Sequence, residues 1–360
     1  MNILQLLGYQ QRKSNKMVEL YVSWVKGLPE DKEALKLLKD SQIVDGVELS
    51  NVDTQVERIR DSGLKVSSHT PGVFNPGFNT LNLANPNYMK AFEGEQGNRL
   101  LQVIRESEAP VIAFHCGYSA ENVYKMKAAS NVPKPGVIFT DPNELSSRIT
   151  KNIVLLEKLV NSGISEGRRK QILLETLEYM RQRPLNWDIQ SDEVKANRLE
   201  MEETLKKYGI NCGQEFVTDP SFIKKVLDDA GKENVKPIGF LLDVGHNFIA
   251  ADAKRHDRKF NGTTEDYFDE MLKASNGRTY QLHLTVPQGN EQEGYLDIHN
   301  TFRPGDELSD LIVNLTKEVV RRSPELMVVT LEMGTGLKSL EHAKEMIKQT
   351  VYVRKVLNFN

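Results

Sequence analysis

The stretch Ile238 to Lys254, IGFLLDVGHNFIAADAK, decides how the rest of the chain is read. It opens on an apolar run, Ile238, Phe240, Leu241 and Leu242. The run has the length and character of a strand buried on both faces, as strands of parallel sheets are. It closes on Asp243 and, three residues on, His246. A carboxylate and an imidazole just past a buried strand are costly to bury unless something pairs with them. A divalent metal ion is such a partner, because it accepts both ligand types. The plainer alternative is a helix-starting Asp243 beside an unrelated histidine. What separates the two is whether the same event recurs elsewhere.

It recurs on both sides. Upstream, Gln171 to Leu174 reads as a strand ending on Glu175, Pro110 to Phe114 as one ending on His115, and Gly63 to Ser68 as one ending on His69. Downstream, Thr279 to Leu284 carries His283, and Leu326 to Leu331 ends on Glu332. Met17 to Val25 and Asp45 to Ser50 complete a set of eight strands. Helical patterns fall between them, over Pro29 to Lys39, Thr54 to Ser62, Asn87 to Glu106, Asn143 to Val160, Asp219 to Asp229, Thr264 to Ala274, Glu307 to Arg322 and Leu337 to Leu357. Thr70 to Pro86 and the Pro- and Gly-rich segment through Pro142 read as loops. Arg181 to Asn211 reads as a helical insertion between the fifth and sixth strands, a lid or a partner surface. Strands alternating with helices and no domain break predict an α/β chain, residues 1–360 forming one (β/α)8 TIM barrel. An open doubly wound sheet is the alternative, but no Gly-rich phosphate loop follows the first strand.

Barrel sites form at the C-terminal ends of the strands. The polar residues found there are His69, His115, Glu175, Asp243, His246, His283 and Glu332. Asp297 and His299 join them from what reads as a loop after the seventh strand, YLDIHNTFRPGD. Taken singly, each has an ordinary explanation: a hydrogen-bonded core histidine, a carboxylate paired with an arginine, a loop residue. Together they do not, because five of the seven histidines in the chain fall at these places. The other two, His256 and His342, fall on a polar loop and an exposed-looking helix. A single ion takes about four to six ligands, so nine candidates imply two or three ions sharing bridging carboxylates. Glu175, on a central strand, is the expected bridge.

Composition sets the limits. At 360 residues, 39% hydrophobic and 27% charged, the chain has the make-up of a globular protein with a large core. A net charge of −3 gives no bulk support for non-specific nucleic-acid binding. Cys116 and Cys212 make neither a disulfide framework nor a CxxC pair, which suits a reducing cytoplasm. The N-terminal MNILQLLGYQQRKSNK places its apolar part before its charge, the wrong order for a secretory signal. No apolar run approaches the roughly 20 residues that span a membrane. A cytoplasmic protein with no membrane partner is expected.

The order His, His, Glu, Asp-x-x-His, His, Asp-x-His, Glu resembles that of the endonuclease IV family (AP endonuclease family 2), within the xylose-isomerase-like TIM barrel superfamily. Asn82-Leu-Ala-Asn-Pro86, His246-Asn-Phe-Ile-Ala250 and Gly305 also fit. The resemblance implies a trinuclear zinc site that hydrolyses phosphodiesters at abasic sites in DNA. Its ligands would be His69, His115, Glu175, Asp243, His246, His283, Asp297, His299 and Glu332. With zinc or manganese ions, Glu175 and Asp243 are the expected catalytic residues, and Arg303, four residues past His299, is expected either to meet a phosphate oxygen or to be a solvated loop arginine. The loop after His69 and the segment between Glu175 and Asp243 are longer than in that family. The chain is also similar to the multinuclear non-haem iron-dependent oxidases, which would require iron, O2 and a peptide partner. Those usually carry Asn where this chain has His246. Sugar isomerases and epimerases of the same superfamily need fewer histidines. Two to three divalent ions are expected, zinc first, with manganese or iron suiting the same ligands. The expected substrate is a small-molecule or nucleic-acid phosphodiester.

Overall fold

Phe240, Leu241 and Leu242 are all fully buried, yet they face two different cores. Phe240 and Leu242 pack outward into the large core beneath the helices, while Leu241 packs inward with Tyr21, Val111, Ala113, Leu173 and Val328. This is the signature of a closed parallel sheet sheathed in helices, and the computed structural model has that form. It describes residues 18–24, 31–49, 59–69, 83–85, 88–117, 141–177, 192, 195, 196, 199, 203, 216–233, 238–290, 294–333 and 340–358.

In chain order the strands and α-helices are β1 (Glu19–Trp24), α1 (Asp31–Ser41), β2 (Gly46–Leu49), β3 (Lys65–His69), α2 (Gly94–Glu106), β4 (Val111–His115), α3 (Pro142–Asn161), β5 (Gln171–Glu175), α4 (Pro220–Gly231), β6 (Gly239–Asp243), α5 (Val244–His256), α6 (Thr264–Ser275), β7 (Thr279–Leu284), β8 (Val286–Asn290), β9 (Gly294–Asn300), α7 (Glu307–Arg322), β10 (Val328–Leu331) and α8 (Leu340–Leu357). Eight strands close in the order β1-β10-β7-β6-β5-β4-β3-β2, and β8 pairs with β9 apart from them. All barrel pairings are parallel; β1 meets β2 with Val22 beside Val47, and β10 with Leu20 beside Val329.

Because side chains alternate along a strand, each strand sends one column inward. The lower members are apolar or small and the upper ones polar: Val111, Ala113, then His115; Leu173, then Glu175; Leu241, then Asp243. The apolar layers fill the barrel, so the site forms at one end, where the strands finish. The helices that hold this end start on strong caps. Asp141 accepts from the backbone of Asn143 with Pro142 in the first turn, and Thr263 and Asp266 form a reciprocal capping box.

Three expectations are corrected. The helix read over Asn87 to Glu106 is broken: Tyr88–Phe92 is a 3-10 turn, and α2 starts only at Gly94, whose φ of +70° suits glycine. Asp297 and His299 lie not in a loop but on β9, in an antiparallel pair with β8. His256 closes α5 and does not sit on a loop. The insertion read over 181–211 lies outside the described residues apart from a few isolated positions. Among the described residues no helix is long and apolar enough to cross a membrane.

Candidate metal centre

Strand register builds the first part of the site. Pairing of β4 with β5 sets His115 beside Glu175, and pairing of β6 with β7 sets Asp243 beside His283. Glu175, fully buried, is the hub. Its Oε2 is in close contact with His69 Nε2 and lies 3.1 Å from His115 Nε2. Its Oε1 lies 3.5 Å from His283 Nδ1 and 3.6 Å from His246 Nδ1. Glu332, just past β10, places Oε1 3.4 Å from His283 Nδ1 and 3.7 Å from His69 Nδ1.

A second part comes from the β8–β9 hairpin, which leaves the top of β7. Asp297 and His299 alternate along β9 and so share one side, while Ile298 between them is exposed. The pairing slips between Val286 and Gln288, and His299 takes φ +52°. Asp297 Oδ2 then stands 3.0 Å from His299 Nε2 and 3.2 Å from His246 Nε2. Tyr295 meets Phe248 edge to face, tying the hairpin to α5.

The start of α5 supports both parts. Asp243 caps the helix: its Oδ1 accepts the backbone N–H of His246 at 2.6 Å. Gly245, between them, has no room for a side chain. A Cβ there would fall 2.2 Å from Thr285 Cγ2.

Sequence reasoning missed one member. Glu48, on β2, is buried, with Oε1 2.8 Å from His283 Nε2. Below the ring, Gln281 donates to Glu48 Oε2 at 2.6 Å and to Thr330 Oγ1 at 3.1 Å, and Ser67 donates to Glu48 Oε2 at 3.2 Å. The signal was a lone acid inside the strand run Gly-Val-Glu-Leu, on the inward parity.

Ten side chains thus meet, and they fall into four sets, three of them sharing residues, with the donor atoms of each set within 4.8 Å of one another. The sets are His69, His115 and Glu175; Glu175, Asp243 and His283; His246, Asp297 and His299; and Glu48, His69, His283 and Glu332. All nine residues expected from sequence are among them. Arg303 is not; it is exposed beyond the hairpin, where its backbone N–H donates to Ser309 Oγ.

The centre is left short of hydrogen bonds. Both nitrogens of His115, Glu175 Oε1, Asp243 Oδ2, His283 Nδ1, Asp297 Oδ1 and Glu48 Oε1 are buried without a partner. Each such atom costs about 1–3 kcal/mol, and a whole domain is stable by only about 5–15 kcal/mol. Seven in one place would consume much of that margin. Divalent cations fit the gap chemically: imidazole and carboxylate are their ligands, and the charge of five carboxylates balances two or three ions.

The electrostatics point the same way. Burial pushes Asp243 up to about 6, with Glu332 and Glu175 adding to the push. Burial also opposes charge on Glu175, but His69, His115 and His283 outweigh it and hold that carboxyl well below its usual range. His299 rises to about 9, because the hydrogen bond and charge of Asp297 overcome its burial. His115 goes the other way, pushed down by burial.

No family model matches the chain, and no curated protein matches it in sequence. Solved structures do. A xylose isomerase domain-containing protein from Salmonella typhimurium LT2 aligns with a TM-score of 0.50 at 12% identity, over 96% of this chain and 100% of that one. A xylose isomerase-like TIM barrel protein from Mycobacterium smegmatis, in complex with magnesium, gives 0.51 at 10% identity, over 95% and 97%. An L-ribulose 3-epimerase gives 0.50 at 10% identity, over 95% of each chain. The chain has the fold of the xylose isomerase-like TIM barrels.

Proposed function

We propose that this protein is a multinuclear metal-dependent hydrolase of phosphate esters, with two or three divalent ions, zinc first, at the mouth of the barrel. One observation carries the reading: Glu175 belongs to two donor sets at once, while His246, Asp297 and His299 make a third beside them. A single-ion site would not need five histidines. Bound zinc supplies Lewis acidity and lowers the pKa of a coordinated water toward neutrality.

The chain's own residues have separate tasks. Glu175 gives Oε2 to the His69/His115 side and Oε1 to the His283 side, which holds the two sets in register. Asp243 fixes the first turn of α5 with one oxygen and turns the other inward, and His246 from that turn reaches the hairpin. The hairpin adds Asp297 and His299 from the solvent side. Arg303, exposed just past it, is the residue proposed to meet a phosphate oxygen of substrate.

The test is elemental analysis and an absorption spectrum of protein purified without added metal. An abasic-site oligonucleotide and bis(p-nitrophenyl) phosphate are then assayed. Two to three zinc or manganese ions per chain with cleavage of either substrate is the expected result. Full metal content without cleavage of any phosphate ester overturns the hydrolase reading.

A second reading is favoured by a separate observation. His69, His115 and Glu175, and again His246, Asp297 and His299, are each two histidines with one carboxylate. That grouping is used by non-haem Fe(II) oxygenases. Iron at the same stoichiometry, with a coloured species on exposure to O2, would place the protein with peptide-modifying oxidases.

A further inference from the structure

We infer that Glu48 is a positioning residue of the metal centre: it engages the Nε2–H of His283 and so turns the Nδ1 lone pair of that ring toward Glu175, Asp243 and Glu332. The inference rests on the metal-centre reading above and adds to it a residue from a strand that supplies none of the nine ligands expected from sequence.

The geometry around the ring separates its two nitrogens. Nδ1 has no hydrogen-bond partner and lies 3.5 Å from Glu175 Oε1, 3.4 Å from Glu332 Oε1 and 3.9 Å from Asp243 Oδ2. Nε2 points the other way, 2.8 Å from Glu48 Oε1; the Gln281 side-chain nitrogen also approaches it, at 3.2 Å, but spends its two hydrogens on Glu48 Oε2 and Thr330 Oγ1. Glu48 Oε2 is already committed to Gln281 and Ser67. The Oε1 contact lacks full hydrogen-bond alignment, but Oε1 has no other partner, so His283 is the group near enough to engage it. Both side chains are essentially without solvent access, so water does not compete.

Glu48 could instead be a ligand, since Glu48, His69, His283 and Glu332 form a donor set of their own. The rings argue against that. A neutral imidazole has one lone pair and one N–H. His69 turns Nε2 to Glu175, and His283 turns Nδ1 to Glu175 and Asp243. Glu48 Oε1 meets His283 at Nε2 and Glu332 Oε1 lies beside His69 Nδ1, so the floor set draws on the opposite nitrogens of the same two rings where it meets these carboxylates. Filling it together with the sets above would strip both rings of their remaining proton. With the upper sets filled, what is left for Glu48 is the N–H, the carboxylate–histidine–metal arrangement in which an outer carboxylate fixes the tautomer.

The experiment compares wild type with Glu48→Gln and Glu48→Ala. Each is loaded with zinc, and bound zinc is counted by elemental analysis. Affinity is measured by competition with a chromogenic chelator, and circular dichroism checks the fold. Glutamine keeps an oxygen for the ring N–H but is a poor metal ligand. Expected is an unchanged zinc count in Glu48→Gln with one ion held about 10–100-fold more weakly, and a larger loss in Glu48→Ala. If Glu48→Gln lost one full equivalent while the rest kept wild-type affinity, Glu48 would be a ligand and the inference overturned. Wild-type affinity in both variants would overturn it too. Wild-type protein that binds no zinc, manganese or iron would overturn the metal-centre reading itself, a different failure.

Discussion

Asp243 Oδ1 accepts the backbone N–H of His246 at 2.6 Å, and this bond joins the end of β6 to the first turn of α5. The other oxygen, Oδ2, has no hydrogen-bond partner and lies 3.9 Å from the Nδ1 atoms of both His246 and His283. A helix-capping role and a place among the candidate metal-binding side chains are therefore not rivals for Asp243. The cap fixes the carboxylate, and the fixed carboxylate aims its second oxygen at the site. Pre-setting a ligand through a second bond is how outer interactions tune metal affinity.

Gly245 should prove indispensable to that geometry. Gly245→Ala forces a methyl to within 2.2 Å of Thr285 Cγ2, and such overpacking costs about 1–3 kcal/mol. The variant is expected to melt lower and to bind zinc more weakly, because Asp243 and His246 flank the clash. Thr285→Ser removes the offending methyl, so the double variant should regain most of both. A double variant no better than Gly245→Ala would show that the packing contact is not the reason for the glycine.

Glu175→Gln tests the shared carboxylate. Glutamine keeps the volume but cannot bridge as a charged ligand. The expected result is loss of at least one zinc equivalent, with phosphodiesterase activity falling on the order of 100-fold or more, the scale of one lost electrostatic contact to the reacting charge. Chelation of wild type should lower the melting temperature, because ions that bind only the native state stabilise it, and Glu175→Gln should respond less. Full metal content and full turnover in the variant would sink the bridging role.

Most of this site is legible in the amino-acid sequence, for a physical reason. Barrel strands are buried on both faces, so their sequences are nearly all apolar, and a polar residue at the end of one stands out: His69, His115, Glu175, Asp243 and Glu332 each do. Glu48 is harder to see because it is flanked by apolar residues within its own strand, and only its inward parity marks it. The hairpin is hidden for the opposite reason. Its residues are largely polar or solvent-facing, so Tyr-Leu-Asp-Ile-His carries little hydrophobic contrast, and the slip that brings Asp297 and His299 together leaves no periodic trace.

His299 holds its backbone at φ +52°, a conformation costing non-glycine residues about 1–2 kcal/mol. His299→Gly is expected to relieve part of this, changing metal-free stability by no more than about 1 kcal/mol in either direction, since glycine also frees the unfolded chain. The same change should remove the ion held with His246 and Asp297. The prediction is one zinc equivalent fewer in a protein of near-wild-type stability, measured by elemental analysis beside urea unfolding. An unchanged zinc count would show that the hairpin holds no ion.

Lys170 gives a pH prediction away from the metal centre. Its ammonium lies at the opposite end of the barrel, just before β5, and donates to the carbonyls of Ser107 and Ala109. Burial pushes its pKa down to about 8, below the unfolded value of about 10.4. Below pH 8 both states carry the proton, and the cost of burying the charge is felt in full. Between the two values the unfolded chain binds more protons than the folded one, so this residue's contribution makes stability rise with pH. Lys170→Met has no such proton to lose. Urea unfolding at pH 7.5 and 9.5 should therefore show wild type gaining on the variant by roughly 1 kcal/mol, after discounting for partial solvent screening. Parallel stabilities at the two pH values would mean that the folded protein keeps Lys170 charged as readily as water does.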